Sequence, residues 1–471
     1  MLLKYFYDDR LAQASYMIGC QACGEALVID ASRDIAPYIQ TAESEGLSIT
    51  HVSETHIHAD YVSGSRELAA KSGARLYLSD MGNTDWKYDF PEVRSGAATL
   101  LHDGDAFMVG NIRIEIVHTP GHTPEHIVFM ITDTAGADRP MGVFTGDFLF
   151  VGGVGRPDLL EEAAGIAGTA EPGARQQFHN LQRFRTMPDY LQVWPGHGAG
   201  SACGKGLGAI PSSTLGYEKL FNTAFQCDDE ETFVTWLLKD QPEPPRYFAR
   251  MKRVNRIGPA LLSELAEPGH LAGMDGTGVS GLIDSGALVI DTRDTPQFAR
   301  AHIPGTLNIP ATSSGFNTYA GWYVDFDQQT YLIATPETAP RLIRDLRAVG
   351  IDNLPGYFTP DIVNGFDESL TQIDPQEAAE KMGNAGFILD VRGATEHVEE
   401  RIPGVRHIPM GYLPRHLGEL PKDELIIIQC GSGVRSEVAA SLLLKYGFTN
   451  VANLSGGIDA WRAAGLPTQR G

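Results

Sequence analysis

The pattern of hydrophobic and polar positions gives this chain two textures. Over residues 1–250, short apolar runs such as Glu25–Asp30 and Ile112–His118 alternate with turns and a few helices, and histidines gather at the run ends. Such runs bounded by turn residues predict strands with loops at their edges, where function resides on a rigid scaffold. The stretch Gln241-Pro242-Glu243-Pro244-Pro245-Arg246 breaks the pattern. Proline restricts itself and the residue before it, so a linker is expected there.

Beyond this break the pattern repeats. Residues 288–310 read LVIDTRDTPQFARAHIPGTLNIP and residues 387–409 read FILDVRGATEHVEERIPGVRHIP. Asp291, Arg293, Ile303, Pro304, Gly305, Ile309 and Pro310 recur 99 residues later as Asp390, Arg392, Ile402, Pro403, Gly404, Ile408 and Pro409. Both copies continue into an apolar strand and a helical segment. Strand–helix alternation in such units predicts two small α/β domains with parallel sheets. The expected organisation is therefore three domains, at 1–250, 257–365 and 370–471.

Composition narrows the function classes. The chain has 471 residues, 42% hydrophobic and 20% charged, as in ordinary globular proteins. Its net charge of −22 disfavours nucleic acid and anionic membranes as partners, although a local basic pocket can still admit a small anion. No signal peptide or membrane-spanning stretch is visible. The five cysteines, Cys20, Cys23, Cys203, Cys227 and Cys430, are too sparse for a disulfide framework, so a reducing cytoplasm is expected.

The chemistry-bearing residues of the first segment form an ordered set. His56 and His58 follow the strand-like Ile49-Thr50-His51-Val52, and side chains two apart in extended chain point to one side. Asp60 follows them. Downstream stand Thr119-Pro120-Gly121-His122-Thr123, Phe144-Thr145-Gly146-Asp147-Phe148 and Trp194-Pro195-Gly196-His197-Gly198. This set resembles the metallo-β-lactamase superfamily, which implies an αββα sandwich over roughly residues 1–250 with a metal site at one sheet edge. The full fold expectation is α/β plus α+β multidomain: that metallo-β-lactamase sandwich followed by the two repeated α/β domains.

One position departs from the superfamily pattern. HxHxDH would place a histidine at 61, where this chain has Tyr61. A second metal would then lack a ligand, and a single metal is expected. Within the superfamily, that pattern looks like the persulfide dioxygenases. The resemblance implies iron held by His56, His122 and Asp147, leaving His58, Asp60, Tyr61 and His197 to orient those ligands. Two histidines and a carboxylate on one face make the facial triad of non-haem Fe(II) oxygenases, with positions open to O2 and substrate. Zinc fits the same donors. Val154-Gly155-Arg156-Pro157-Asp158 resembles a further motif of that branch, with Arg156 either clamping an anionic substrate or pairing with Asp158. Ser201-Ala202-Cys203-Gly204-Lys205 resembles a run in the rhodanese-fused members, where the cysteine handles sulfur; a packed, inert Cys203 is the alternative. Cys20-Gln21-Ala22-Cys23 is a CxxC before Gly24 and suggests a hairpin turn. Cys227 carries no assigned role.

In the third domain, the apolar run Leu425–Gln429 ends at Cys430-Gly431-Ser432-Gly433-Val434-Arg435, and Ser436–Leu444 reads as a helix. Loop amides and a helix N-terminus stabilise negative charge on sulfur, and Arg435 adds positive charge, so Cys430 is expected to be a nucleophile. The loop resembles that of rhodaneses, which carry sulfane sulfur as a cysteine persulfide. Gly431, Ser432, Gly433, Val434 and Arg435 would then cradle that sulfur and an acceptor such as sulfite. In the second domain, Thr330–Thr335 ends without a cysteine, so that copy is expected to be silent.

Together the resemblances imply oxidation of a low-molecular-weight persulfide by O2 to sulfite and thiol, coupled to rhodanese transfer involving thiosulfate, in sulfide detoxification. The alternative is a metal-dependent thioester hydrolase of the glyoxalase II kind with accessory rhodanese domains. A homo-oligomer is expected.

Overall fold

The computed structural model describes residues 1–159, 161, 168–241, 244, 245, 247–382 and 386–471. Half of the linker expected at 241–246, residues 242, 243 and 246, lies outside these residues. The chain forms two compact units: Met1–Leu265 with Arg347–Gly350, and Ala266–Leu346 with Ile351–Gly471.

The first unit holds two six-stranded sheets. One has the order β1 (Leu2–Asp8), β2 (Gln13–Cys20), β3 (Glu25–Ile29), β4 (Ser48–Ser53), β5 (Arg75–Ser79) and β6 (Thr99–Leu101). The other runs from β7 (Ala106–Val109) through β8 (Ile112–His118), β9 (Ile127–Asp133), β10 (Gly142–Gly146) and β11 (Gln192–Pro195) to β12 (Ser213–Thr214). Alternation along each strand produces the layers. Ala14, Tyr16 and Ile18 of β2, with Leu27 and Ile29 of β3, cluster with Ile112, Ile114 and Ile116 of β8 and Ile127, Phe129 and Ile131 of β9 between the sheets. Met17 and Val28 face the other way and pack with Tyr38, Ala42 and Leu68 from helices Ala36–Ser44 and Ser65–Ser72. On the far side, Val128 and Val143 pack with Leu181 and Phe184 of helix Ala170–Arg185. Four layers result, helix–sheet–sheet–helix.

The unit runs past residue 250. Helix Phe248–Ile257 belongs to it and supplies Asn255, whose side chain accepts from Ser63 N at 2.9 Å and donates to the carbonyls of His58 and Tyr61 at 2.8 and 2.7 Å. The loop bearing the first histidines is thus pinned by a residue beyond the domain end expected from the sequence.

The second unit contains two parallel five-stranded sheets of identical connectivity. The first has the order β13 (Gly269–His270), β17 (Gly356–Phe358), β16 (Thr330–Ile333), β14 (Leu288–Asp291), β15 (Leu307–Asn308). The other has the order β18 (Thr371–Ile373), β22 (Val451–Leu454), β21 (Leu425–Gln429), β19 (Gly386–Asp390), β20 (Arg406–His407). The repeated residues do the same work in both. Arg293 and Arg392 fold back on Asp291 and Asp390 through paired hydrogen bonds, and each also donates to a chain carbonyl, of Ala301 and Glu400 respectively. Ile309 N and Ile408 N both return to the carbonyl of that aspartate at 3.0 Å. The two halves also touch: Asn308 N donates to Ser441 Oγ at 3.0 Å and Tyr323 OH to Met410 O at 2.7 Å. No described helix is long and apolar enough to cross a membrane.

Candidate metal centre and sulfur site

The first unit converges its polar residues at one edge of the sandwich. His56 lies after β4, His122 after β8, Asp147 after β10 and His197 after β11. Their ligand atoms come together because these strands end at the same edge. Atoms of His56, His122 and Asp147 lie within 4.8 Å of one another, and all three residues are buried. Nε2 of His122 is 3.4 Å, and Nε2 of His56 4.0 Å, from Asp147 Oδ2.

Each of the three is tethered by one atom and turned inward by another. His122 Nδ1 donates to the carbonyl of Arg156 at 2.9 Å. His56 Nδ1 donates to Thr55 Oγ1 at 2.9 Å, and that hydroxyl donates to Asp30 Oδ2 at 2.9 Å. Asp147 Oδ1 accepts from His197 Nδ1 at 2.8 Å. Among the described residues, the inward atoms His56 Nε2 and Asp147 Oδ2 meet no hydrogen-bond partner although fully buried. Orphaned buried donors and acceptors are costly, so their convergence fits a cation. Burial pushes the pKa of His56 well down and that of His122 down, which leaves both rings neutral with a lone pair to offer. Burial would raise the Asp147 carboxyl, but His197, then His122 and His56, hold it well below the usual carboxylate range.

The remaining expected residues sit around this cluster. His197 Nε2 donates to Asp60 Oδ2 at 2.7 Å, so both ring nitrogens face carboxylates. Burial opposes its charge, yet Asp147 and Asp60 keep its pKa well above the ordinary value. His58 turns away and donates through Nε2 to Asp30 Oδ1 at 3.1 Å. Burial works against its charge, and Asp30 overcomes this and lifts its pKa to about 9. Tyr61 is buried, packs its ring 4.5 Å from that of His58 and donates to Asp30 O at 3.3 Å. Cys203 is buried with Sγ in a second cluster with Asp60 and His197, again within 4.8 Å. Burial, then Asp60 and Asp147, push its thiol pKa well up.

Of the two roles expected for Arg156, the structure shows the pairing with Asp158. Its guanidinium is buried, bonded twice to Asp158 at 2.8 and 2.6 Å and once to Ala202 O at 3.4 Å. Its backbone N donates to Cys203 O at 3.0 Å. The residue ties the Cys203 loop to the carbonyl that orients His122.

Several site residues were not singled out in the sequence. Asp30, at the end of β3 with φ +56°, accepts from Thr55 N, Thr55 Oγ1 and His58. His126 accepts the amide of Asp147 on Nε2 at 3.1 Å and meets Thr119 Oγ1 at 2.8 Å. Gly146 adopts φ +48°, and a Cβ there would lie 2.5 Å from Thr55 Oγ1 and 2.8 Å from His126 Nε2. Only glycine fits between the tethers of two candidate ligands. Two cavities flank the centre: one of about 410 Å³ lined by Trp86, His118, Pro120 and His122, the other of about 370 Å³ lined by Tyr5, Tyr7, His197 and Ile210.

In the second unit, Cys430 directly follows β21 and is buried. Gly433 N reaches its sulfur at 3.2 Å and Ser436 Oγ at 3.4 Å, and helix Val434–Lys445 begins there. Gly457, with φ +56°, passes so close that a Cβ would stand 2.3 Å from Cys430 O. Gly431 and Ser432 complete the turn. Arg435 does not offer its charge to the sulfur alone, because Glu396 holds it through two bonds of 2.6 and 2.7 Å. In the other half, Thr292 N bonds Ile333 O just as Val391 N bonds Gln429 O, so Ala334 occupies the position of Cys430.

Known proteins match these parts. The metallo-beta-lactamase superfamily matches residues 8–197, and a rhodanese-like domain matches 374–464. A solved metallo-beta-lactamase from Staphylococcus aureus is 44% identical, with a TM-score of 0.69, covering 76% of this chain and 99% of its own. The chain belongs to the metallo-β-lactamase superfamily. It also carries a C-terminal rhodanese-like domain. Hydroxyacylglutathione hydrolase of Rhodospirillum rubrum is 31% identical over 182 residues, 39% of this chain, and the match spans only 60% of that relative. The mitochondrial persulfide dioxygenase ETHE1 of Homo sapiens is 28% identical over 202 residues, 42% of this chain and 68% of its own. The fold implies a bound metal, and persulfide dioxygenase and hydrolase relatives both match.

Proposed function

We propose that the superfamily domain is a mononuclear iron persulfide dioxygenase and that the Cys430 domain is a sulfurtransferase. The carrying observation is the geometry of the first cluster. Three buried donors each spend one atom on the protein and turn another into a shared space, while His197, the fourth candidate, has both nitrogens taken by carboxylates. That donor set fits one metal held by His56, His122 and Asp147. Iron bound there would supply the site at which a persulfide sulfur and O2 meet. The persulfide dioxygenase relatives support iron over zinc.

The chain's own residues position that encounter. Arg156 O and Thr55 fix the two imidazoles, and His197 fixes the carboxylate. The cavity beside His122 admits the thiol carrier, with Trp86 and the prolines excluding water from its apolar part. The overall reaction is RSSH + O2 + H2O → RSH + SO3²⁻ + 2H⁺. At the second site, the Gly433 amide and Ser436 hydroxyl donate to Cys430 Sγ, the sulfur to which a sulfane sulfur would be attached. Attack by sulfite on its outer sulfur gives thiosulfate and the free thiol. The half containing Ala334 is a silent rhodanese-like copy on this reading.

A thioester hydrolase is the second reading, favoured by the hydroxyacylglutathione hydrolase relatives. One experiment separates them. Protein purified anaerobically is analysed for metal, then followed for O2 uptake with glutathione persulfide and for cleavage of a glutathione thioester. Iron with O2 uptake and sulfite release is expected; zinc with thioester cleavage and no O2 uptake refutes the dioxygenase reading.

A further inference from the structure

The CxxC motif lies outside both sites described above. Cys20 ends β2, and Cys23 sits in the turn before β3. The turn is tight: the amides of Cys23 and Gly24 bond back to Cys20 O at 3.1 and 2.8 Å, and Gly24 takes φ +72°. Both cysteines converge on Gly110, in the turn between β7 and β8. A Cβ on Gly110 would stand 2.7 Å from Cys20 Cβ, from Cys20 Sγ and from Cys23 Cβ. The Asn111 amide donates to Cys20 Sγ at 3.3 Å. Cys20 is 4% exposed and Cys23 is exposed. Backbone donation from Asn111 leads in lowering the Cys20 thiol pKa and the Cys23 thiol adds to it, while that bond to Cys20 leads in raising the Cys23 thiol, so the thiolate favoured in the pair is that of the resolving Cys20. Among the described residues, no third metal-ligating side chain closes on the pair. What is built here is an accessible thiol beside a sheltered one whose thiolate has a fixed amide donor. That arrangement suits thiol–disulfide exchange, with one cysteine attacking and the other resolving.

We propose that Cys20 and Cys23 form a dithiol that discharges sulfane sulfur from low-molecular-weight persulfides without O2. Cys23 attacks the outer sulfur of RSSH; the S–S bond breaks, RSH leaves and Cys23 carries –SSH. Cys20 then attacks the carbon-bound sulfur of that group, the new S–S bond breaks, and sulfide leaves. The net change is two thiols + RSSH → disulfide + RSH + hydrogen sulfide. The thiols are oxidised, the sulfane sulfur is reduced, and the persulfide is the only oxidant.

The test uses the full chain with Cys430→Ser, under anaerobic conditions, treated with glutathione persulfide. Trypsin releases both cysteines in one peptide, Leu11–Arg33. The expected result is loss of two hydrogens from this peptide with one sulfide released per disulfide formed. Cys20→Ser should instead retain one extra sulfur on Cys23 and release no sulfide from this peptide. Cys23→Ser should leave Cys20 unmodified. A peptide that stays fully reduced, or equal sulfide release from the Cys20→Ser chain, overturns the proposal. Because no O2 is present, the outcome does not depend on whether the metal centre is a dioxygenase.

Discussion

Thr55→Val tests the tethering of His56 with minimal change of shape. The hydroxyl stands in a buried relay, accepting from His56 Nδ1 at 2.9 Å and donating to Asp30 Oδ2 at 2.9 Å. Valine keeps the branched shape and removes both bonds. His56 Nδ1 loses its acceptor, and Asp30 keeps its bonds from Thr55 N and His58 but loses one donor. Each group left short costs about 1–3 kcal/mol. The metal-free domain should therefore melt lower by a margin set by one to two such groups. The ring, free to rotate or change tautomer, should hold metal about 10- to 100-fold more weakly, the usual consequence of losing an orienting partner. Competition with a chromophoric chelator measures the affinity, and thermal unfolding of the metal-free protein measures the stability loss separately. A variant that melts lower but binds metal as tightly as wild type would show that Thr55 supports the fold and does not aim His56.

Three further outcomes are expected. Tyr61→Phe should leave metal content unchanged, since its hydroxyl meets only the Asp30 carbonyl, and should cost about 1 kcal/mol of stability; lost metal would make Tyr61 a ligand. Cys430→Ser should abolish sulfur transfer to sulfite while O2 uptake with a persulfide continues; loss of both would mean that the two chemistries share a step. Burial lifts the Glu437 carboxyl to about 8, against a Gln372 bond that lowers it, so its charge is disfavoured in the folded second unit. The native state thus binds this proton more tightly, and the associated stability, full below the ordinary glutamate range, is lost as pH rises through about 8. Glu437→Gln should flatten that loss in melting curves of the full chain taken across this range, and an unchanged slope would remove Glu437 as its source.

The candidate cluster was legible in the sequence because each member follows a strand, with a glycine beside His122, Asp147 and His197 and the HxH pair marking His56. His56, His122, Asp147 and His197 all reach one edge because the strands before them end there. Their supports were less legible. Asp30 closes an apparently ordinary apolar strand, and its role depends on the loop of Thr55 arriving from the next strand. Asn255 lies beyond a proline-rich break that reads as a domain end, and only folding shows its helix returning to the histidine loop. Arg156 illustrates the converse. A lone arginine before an aspartate is ambiguous on paper, and burial with two bonds to Asp158 resolves it toward structure. The repeat was legible through DxR and the Ile-Pro that follows IPG, because the Asp–Arg pairs and the amides of Ile309 and Ile408 make the same hydrogen bonds in both halves.

Ala334 bears on how this chain can change over time. The half containing Ala334 keeps its Asp291–Arg293 clasp although it has no cysteine after its strand, so the clasp accompanies the fold and not the thiol. Introducing a thiol by Ala334→Cys would still leave Thr335, Pro336 and Glu337 where the other half has Gly431, Ser432 and Gly433. Pro336 has no amide to give, and Gly433 takes φ +101°, a conformation that a glutamate at 337 would adopt only under strain. Several substitutions would have to arrive together before any of them was useful. A thiol is removed by a single change, while building the whole Cys430 loop takes several, so on the proposed reading a silent copy is easier to reach than to leave.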